Sequence, residues 1–317
     1  DTQYDRRNGT THLVMVGAGY RFTRNEVKNL PGGIAFLPAT LDRHLFSAFV
    51  QDDISLLEDR LKVTIGSRFE HNDYTGLEIQ PSARAAWSID SHLVWAAISR
   101  AVRTPSRIDR HLFFPADAPF IFAGGPNFDS EKLIAYELGW RVRIQDVLLS
   151  AATFFNDYDD IRSLSPGPPF VVENNAEGEI YGLELEATWH IGAAWRMTAG
   201  YTLLQEDLRV KPGRVDQNLG RGEAFDPQQQ IQLRTSIDLS DDLELDLGFR
   251  FVDQIQNTAR GFETIPDYTT VDVRVAWLPT RNLELAIVGQ NLLDERHPEF
   301  GLREIERSGY AKATWRY

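Results

Sequence analysis

The sequence has no cysteine, which excludes disulfides, iron–sulfur clusters and thiolate zinc sites. It has no excess of basic residues. Lys and Arg total 33 against 46 Asp and Glu, for a net charge of −13, so there is no basic stripe for nucleic acid. Seven histidines (His12, His44, His71, His92, His111, His190 and His297) are scattered, and none is spaced like a helical metal pair. The chain contains no G-x-S-x-G, and no His stands in a recognisable pattern with a Ser and an acid. An enzyme therefore lacks its usual signals. No apolar run approaches the roughly 20 residues of a membrane helix, and "DTQYDRRNGT" has no apolar segment of the signal-peptide kind. Such a hydropathy profile is silent on membrane β-barrels, whose apolar surface falls on alternate residues.

Alternation is what the sequence does contain. In "LKVTIGSRFE", Leu61, Val63, Ile65 and Phe69 oppose Lys62, Thr64, Arg68 and Glu70. "IYGLELEATWH" and "LELDLGFRF" repeat the pattern. A period of two means strands with one apolar and one polar face. These runs are about ten residues long, where globular strands average about six. About fourteen strands are expected, at 11–23, 44–56, 60–71, 79–88, 92–102, 133–144, 147–158, 178–190, 194–206, 229–239, 243–254, 268–278, 283–292 and 305–317. Short turns such as "IQD" and "LSDD" alternate with long polar or Gly/Pro-rich links: 24–43, 103–132, 159–178, 206–228, 255–267 and 293–304. The expected fold is all-β, an antiparallel transmembrane β-barrel. A β-propeller also repeats, but its strands are short and its signature motifs are missing here.

All seven tryptophans, Trp87, Trp95, Trp140, Trp189, Trp195, Trp277 and Trp315, lie near short turns or the chain end. With Tyr317 they are expected to form an aromatic girdle at one membrane interface. The other parity carries Arg68, Arg84, Arg141, Glu184, Glu186, Arg234, Arg250 and Arg274, among other charges. Each would cost about 2–4 kcal/mol facing lipid at the midplane, so they are expected to line a wet lumen or a polar plug.

Several stretches, in order from Leu45 to Tyr317, resemble the barrel of a TonB-dependent outer-membrane receptor. "LFSAFVQDDISLLEDRLKVTIGSRFEHNDY" resembles a strand pair around A-x-x-Q-[DE], and "SRAVRTPS" an S-x-A-x-R-x-P segment. "NFDSEKLIAYELGWR" resembles L-x-P-E-x-x-x-x-Y-E-L-G-x-[RK], with Ser130 where Pro is usual. "FFNDYDDI" with "NAEGEIYGLELEATW" resembles the next hairpin, and "NLELAIVGQNLLDERH" the penultimate strand. The resemblance implies a plug domain inside a barrel of 22 strands, and an energy-coupling box ahead of the plug. Neither plug nor box is found here, so residues 1–317 are expected to be the C-terminal part of such a barrel. It further implies active import of a scarce ligand such as a ferric siderophore, energised through TonB. The implied partners are the plug, the TonB system, the barrel assembly machinery, membrane lipid and lipopolysaccharide, with no cofactor, no metal and no catalytic residue. The alternatives are a passive porin or small closed barrel of fourteen strands and, third, a barrel enzyme.

The segment from Ser99 to Phe128 concentrates Arg103, Arg107, Arg110, His111, Phe113, Phe114, Phe120 and Phe122. One reading is an extracellular loop that attracts an anionic ligand with Arg and grips it with aromatics. The other is Arg on lipopolysaccharide phosphates and Phe packing the loop on itself. Asp157, Asp159 and Asp160 resemble half a calcium loop but lack its Gly and distal Glu, so a solvated strand end is expected. Glu184 and Glu186 are lumen lining rather than a catalytic pair. In "SGYAKATWRY", Ala311, Ala313, Trp315 and Tyr317 share the apolar parity. Tyr317 is expected to end the closing strand.

Overall fold

The alternating runs become strands because only a period of two keeps their apolar residues on one face. The computed structural model describes residues 2–9, 11–222, 224–256, 264–300 and 303–317. In chain order these form β1 (Thr2–Asn8), β2 (His12–Glu26), β3 (Ala35–Phe36), β4 (Thr40–Leu56), β5 (Leu61–Asn72), β6 (Gly76–Ile89) and β7 (His92–Arg103). The helix α1 (Arg107–His111), β8 (Leu112–Phe113) and β9 (Phe122–Ala123) follow. Next come β10 (Glu131–Ile144), β11 (Val147–Leu164), β12 (Phe170–Ile191), β13 (Trp195–Val210), β14 (Gln229–Ser240) and β15 (Leu243–Val252). The chain finishes with β16 (Tyr268–Thr280), β17 (Leu283–Gln290), β18 (Arg296–Phe300), β19 (Arg303–Glu306) and β20 (Ser308–Trp315).

Fifteen of these strands form one wall, in the order β1-β2-β4-β5-β6-β7-β10-β11-β12-β13-β14-β15-β16-β17-β20. Every neighbouring pair in that path is antiparallel. All fourteen expected strands are present. The fifteenth, β1, runs from Thr2↔Ala18 to Asn8↔His12 against β2. Its sequence, "TQYDRRN", is almost entirely polar, so alternation could not reveal it. The last expected strand, 305–317, divides in two. Glu306 pairs with Arg296 in the β18–β19 hairpin, and β20 starts only at Ser308. Part of the expected link 255–267, residues 257–263, lies outside the described residues. The smaller closed barrel would need β1 to pair with β20. Among the described residues no such pairing exists, and each of these strands has a partner on one side only.

The wall has little interior of its own. Large apolar side chains such as Ile65, Leu138, Leu185 and Ile287 stand exposed on one face, as lipid-facing positions must. The eight charged residues expected in the lumen share the opposite face. Cross-strand partners lie on the same side of a sheet, and the ladders link Arg84 with Thr64, Arg141 with Ser150, Ser150 with Glu186, and Arg234 with Thr198.

The tryptophans record the tilt of the strands. A row perpendicular to the strands through Trp140 passes Ala151, Leu185, Tyr201, Ile231, Phe251 and Thr269. Trp189, Trp195 and Trp277 sit four, six and eight residues nearer the short-turn end of their strands than that row. Such progressive stagger is the shear of tilted barrel strands. Trp87, Trp140, Trp189, Trp195, Trp277 and Trp315 are exposed on the apolar face. Trp95 departs from the expected ring. It pairs with Gly139, in register with Ala97↔Glu137 and Leu93↔Arg141, and therefore stands on the polar face. Short-turn proximity did not fix its parity; the ladder does.

Candidate functional site

The loop end of the wall is where side chains of different strands and links converge. The β7–β10 link is organised by α1. Ser106 caps it, the Asp109 backbone N–H donating to Ser106 Oγ at 3.3 Å while the Asp109 carboxylate accepts from the Ser106 backbone N–H at 2.8 Å. This reciprocal box fixes a helix too short to persist alone. Asp109, only 1% exposed, also accepts from Arg103 at 3.2 Å and Arg162 at 3.4 Å. Burial alone would raise its carboxyl; the Ser106 hydrogen bonds and the two guanidiniums outweigh that and hold it below the usual carboxylate range.

Arg107 ties two loops together. It is buried, donates to Asn25 Oδ1, to Pro38 O and, at 2.9 Å, to Ala39 O, and lies over the Phe36 ring. His111 Nδ1 donates to Leu37 O at 2.9 Å. Arg103 pairs with Glu131 as well as Asp109, and Arg110 donates to Phe128 O at 2.8 Å. Phe113 packs on Phe120 with ring centroids 4.9 Å apart, and Phe122 pairs with Phe170. Phe114 alone of these phenylalanines is exposed. Gly125 donates to Asp109 O at 2.8 Å, and a Cβ there would stand 1.9 Å from Val172 O. Only glycine admits that approach. The residues expected to grip a ligand are thus largely engaged in building the loop. They form a roof.

Beneath the roof lies a recess of about 490 Å³ in the polar face of β2, β4 and β5, with Thr104 and Pro105 at its rim. Arg21, Arg43 and Arg68 line it together with Glu70, Asp73 and Tyr74. Asn72 Oδ1 accepts from the backbone N–H groups of Tyr74 and Thr75 at 2.9 and 3.0 Å, and this turn aims Tyr74 inward. Guanidiniums flank the phenol ring, with Arg43 5.1 Å and Arg110 5.0 Å from its centroid. Burial raises the Tyr74 phenol above its usual range, only partly offset by Arg43 and Arg110. Arg68 donates to Glu70 at 3.1 Å. Among the described residues, neither Arg21 nor Arg43 has an ion-pair partner; Arg43 is engaged with Tyr74. Nothing local in the sequence sets Arg21, Arg43 or Tyr74 apart. Their polar parity at strand tops was visible, but the roof and turn that gather them are not local features.

A second recess, about 510 Å³, lies lower on the same face and includes Trp95, Arg141, Glu184, Glu186, Gln232 and Arg250. Trp95 covers Gly139, where a Cβ would stand 2.2 Å from the indole. Arg141 donates to Ser150 Oγ at 3.2 Å. Arg250 is drawn upward instead, pairing with Glu299 and lying over Tyr268. Near the short-turn end Arg274 joins Glu244 at 3.1 Å, Glu284 at 2.7 Å and Asp246. Arg84 and Arg234 lack an ion-pair partner among the described residues. Asp159 and Asp160 are taken up by Lys211, and Asp160 also by Lys132. Among the described residues, no group of His, Asp and Glu is arranged to hold a metal ion.

A tilted antiparallel wall with one apolar and one charged face, long links at one end and tight turns at the other, defines a membrane β-barrel of the bacterial outer-membrane type. The model of the TonB dependent receptor-like β-barrel family matches residues 1–292, and the chain belongs to that family. It is 25% identical over 188 residues to the probable TonB-dependent siderophore receptor PiuA of Acinetobacter baumannii, covering 56% of this chain and 25% of that protein. It is 25% identical over 263 residues to the ferrioxamine B receptor of Salmonella typhimurium, covering 78% of this chain and 36% of that one. The siderophore receptor PirA from Acinetobacter baumannii has a similar fold, with a TM-score of 0.77 at 16% identity, over 99% of this chain and 53% of that one. The chain therefore spans about a quarter to a third of these curated relatives. The family consists of receptors and transporters, not enzymes.

Proposed function

We propose that the protein is an outer-membrane receptor for a ferric siderophore, energised through TonB. The single observation that carries this is the family match across residues 1–292, joined by siderophore receptors among both the relatives and the structural neighbours. Residues 1–317 supply the barrel wall and its loops. The polar face is the lumen, and Arg84, Arg141, Arg234 and Arg274 with Glu184 and Glu186 line the path shared by plug and ligand. The six apolar-face tryptophans, with Tyr317 beyond β20, sit at the periplasmic interface as an aromatic girdle. Lipid covers that face, lipopolysaccharide surrounds the loop end, and the assembly machinery inserts the barrel through its terminal strand.

Uptake of radiolabelled iron tests the reading. A strain lacking the gene is supplied with single ferric chelates as its iron source and compared with its complemented parent. The expected result is loss of uptake of at least one chelate, equal to the loss on removing TonB. Undiminished uptake of every chelate in the deletion strain would defeat it.

A further inference from the structure

Two carboxyls beside β13 face each other, apart from the roof and the lumen arginines. Glu206 is the twelfth residue of β13 counted from Trp195. That is past the roughly nine to eleven residues a crossing strand needs, so it stands at the loop end. Asp226, on the link from β13 to β14, meets the Glu206 carboxyl twice, through its backbone N–H and through its own carboxyl. Glu206 Oε1 is shut off from solvent. Ile180 stands opposite Glu206 on β12, and the Tyr158 phenol of β11 feels both carboxyl charges and that of Glu131. Asp207, Arg221 and Asp253 line the adjoining recess of about 280 Å³. Among the described residues, the charge that bears on Glu206 is that of Asp226. Two carboxyls in hydrogen-bond contact cannot both stay ionised cheaply, and sharing one proton relieves them. Burial first, and the Asp226 charge second, push the Glu206 carboxyl up from 4.5 to about 7.

The link that carries Asp226 has two limbs, held differently. In the first, the buried Asp216 accepts from the backbone N–H groups of Leu164 and Gly220 at 2.7 Å each. The Lys211 N–H donates to Asn175 O at 2.8 Å. Neither fastening needs a protonated carboxyl. The second limb, 224–228, returns to the wall through Ala224 on the Ile161–Ala176–Leu208 cluster. Below that it is held by the Glu206–Asp226 contact and by the Leu204 N–H, which donates to Gln228 O at 2.9 Å.

We infer that the Glu206–Asp226 pair is a proton latch: the shared proton holds residues 224–228 against β13, and its loss loosens that limb while the first stays fastened. A carboxyl whose value is raised on docking holds its proton more tightly docked than released. Docking therefore weakens by up to about tenfold per pH unit between 4.5 and about 7, and levels off above. Acidity at the loop end thus sets how firmly this limb covers the polar face, whichever ligand the barrel passes.

Hydrogen exchange of the full-length receptor in detergent, corrected for intrinsic rates, tests the latch. The amides of 224–228 and of Leu204 are expected to lose protection about tenfold or more from about pH 5 to pH 7, and to change little from there to about pH 8. Residues 211–220 are expected to keep theirs. Glu206→Gln keeps the shape and a donor for Asp226 but does not titrate. It is expected to leave the limb protected at about pH 8 and to abolish the pH dependence. Asp226→Asn removes the second charge and is expected to reduce that dependence without abolishing it, because the burial of Glu206 remains. Heat-modifiable migration confirms folding of each variant. Equal protection of 224–228 at every pH, or the same pH dependence in Glu206→Gln as in the parent, overturns the inference. Parallel loss across 211–228 overturns it as well, since the whole link would then open as one unit.

Discussion

Asp109 illustrates how one residue can hold a loop. It is almost fully buried, yet it stays ionised because Ser106, Arg103 and Arg162 all address it. A carboxyl depressed in the folded state contributes stability that is present above its unfolded value and lost as pH falls through the folded one. With an ordinary value of 3.8, that contribution is full at neutral pH and fades below about pH 4. Hydrogen exchange of the amides in 104–130, corrected for intrinsic rates, is therefore expected to lose protection as pH falls below about 4. Asp109→Asn is expected to lower the opening free energy of this loop by about 1–3 kcal/mol and to flatten that pH dependence. Protection unchanged by either treatment would remove Asp109 from this role. The sequence showed Arg103, Arg107 and Arg110 as a cluster, but not that each was already engaged. A guanidinium's use depends on which acceptors the fold brings to it, and here those come from residues 25 to 39, Glu131 and Phe128.

At the scale of the element, most strands were legible because alternation needs no partner to be seen. Two failures have a common cause. β1 is almost entirely polar, and residues 305–306 belong to a hairpin instead of the last wall strand; in both cases hydrogen-bond partners elsewhere decide the assignment. That hairpin is docked on the polar face. His297, 5% exposed, stacks on Tyr268 with centroids 4.5 Å apart and bonds Glu299 at 3.0 Å, while Arg250 reaches Glu299 from the wall. His297→Ala removes the stack, worth about 1 kcal/mol. It is expected to speed hydrogen exchange in 296–300 about fivefold while leaving β15 and β16 protected. Equal acceleration in the wall would mean that the hairpin and wall open as one unit. The tryptophans show the same limit. Position in sequence placed all seven near a turn, but only the β7–β10 register put Trp95 on the other face, since a shift of one residue inverts a side chain.

Residues 1–317 form a curtain of fifteen strands whose outermost members each lack a partner on one side among the described residues. Unpaired backbone groups are untenable in hydrocarbon, at several kcal/mol each, and bare edges recruit other chains. A polypeptide of residues 1–317 refolded alone in detergent is therefore expected to elute as oligomer or aggregate and to show no heat-modifiable monomer band. A stable monomer of that kind would mean that these strands close on themselves. The charges on the two faces follow from the same scale. Arginines near the loop end and the Arg274 cluster near the turns share one face because every strand was built with the same parity.

The sequence by itself determined the class of this protein. A period of two, strand lengths near a membrane's thickness, alternating link lengths and grouped tryptophans are local or near-local properties, and they specify a membrane barrel whatever the tertiary details. Only the tertiary structure decided which side chains are free to act. Arg107 and Arg21 are equally charged on paper, yet the fold supplies acceptors to the first and leaves the second without one among the described residues. The physical reason is that strand parity is written in consecutive residues. Satisfaction of a polar group instead depends on neighbours distant in sequence, as Asn25 is 82 residues from Arg107.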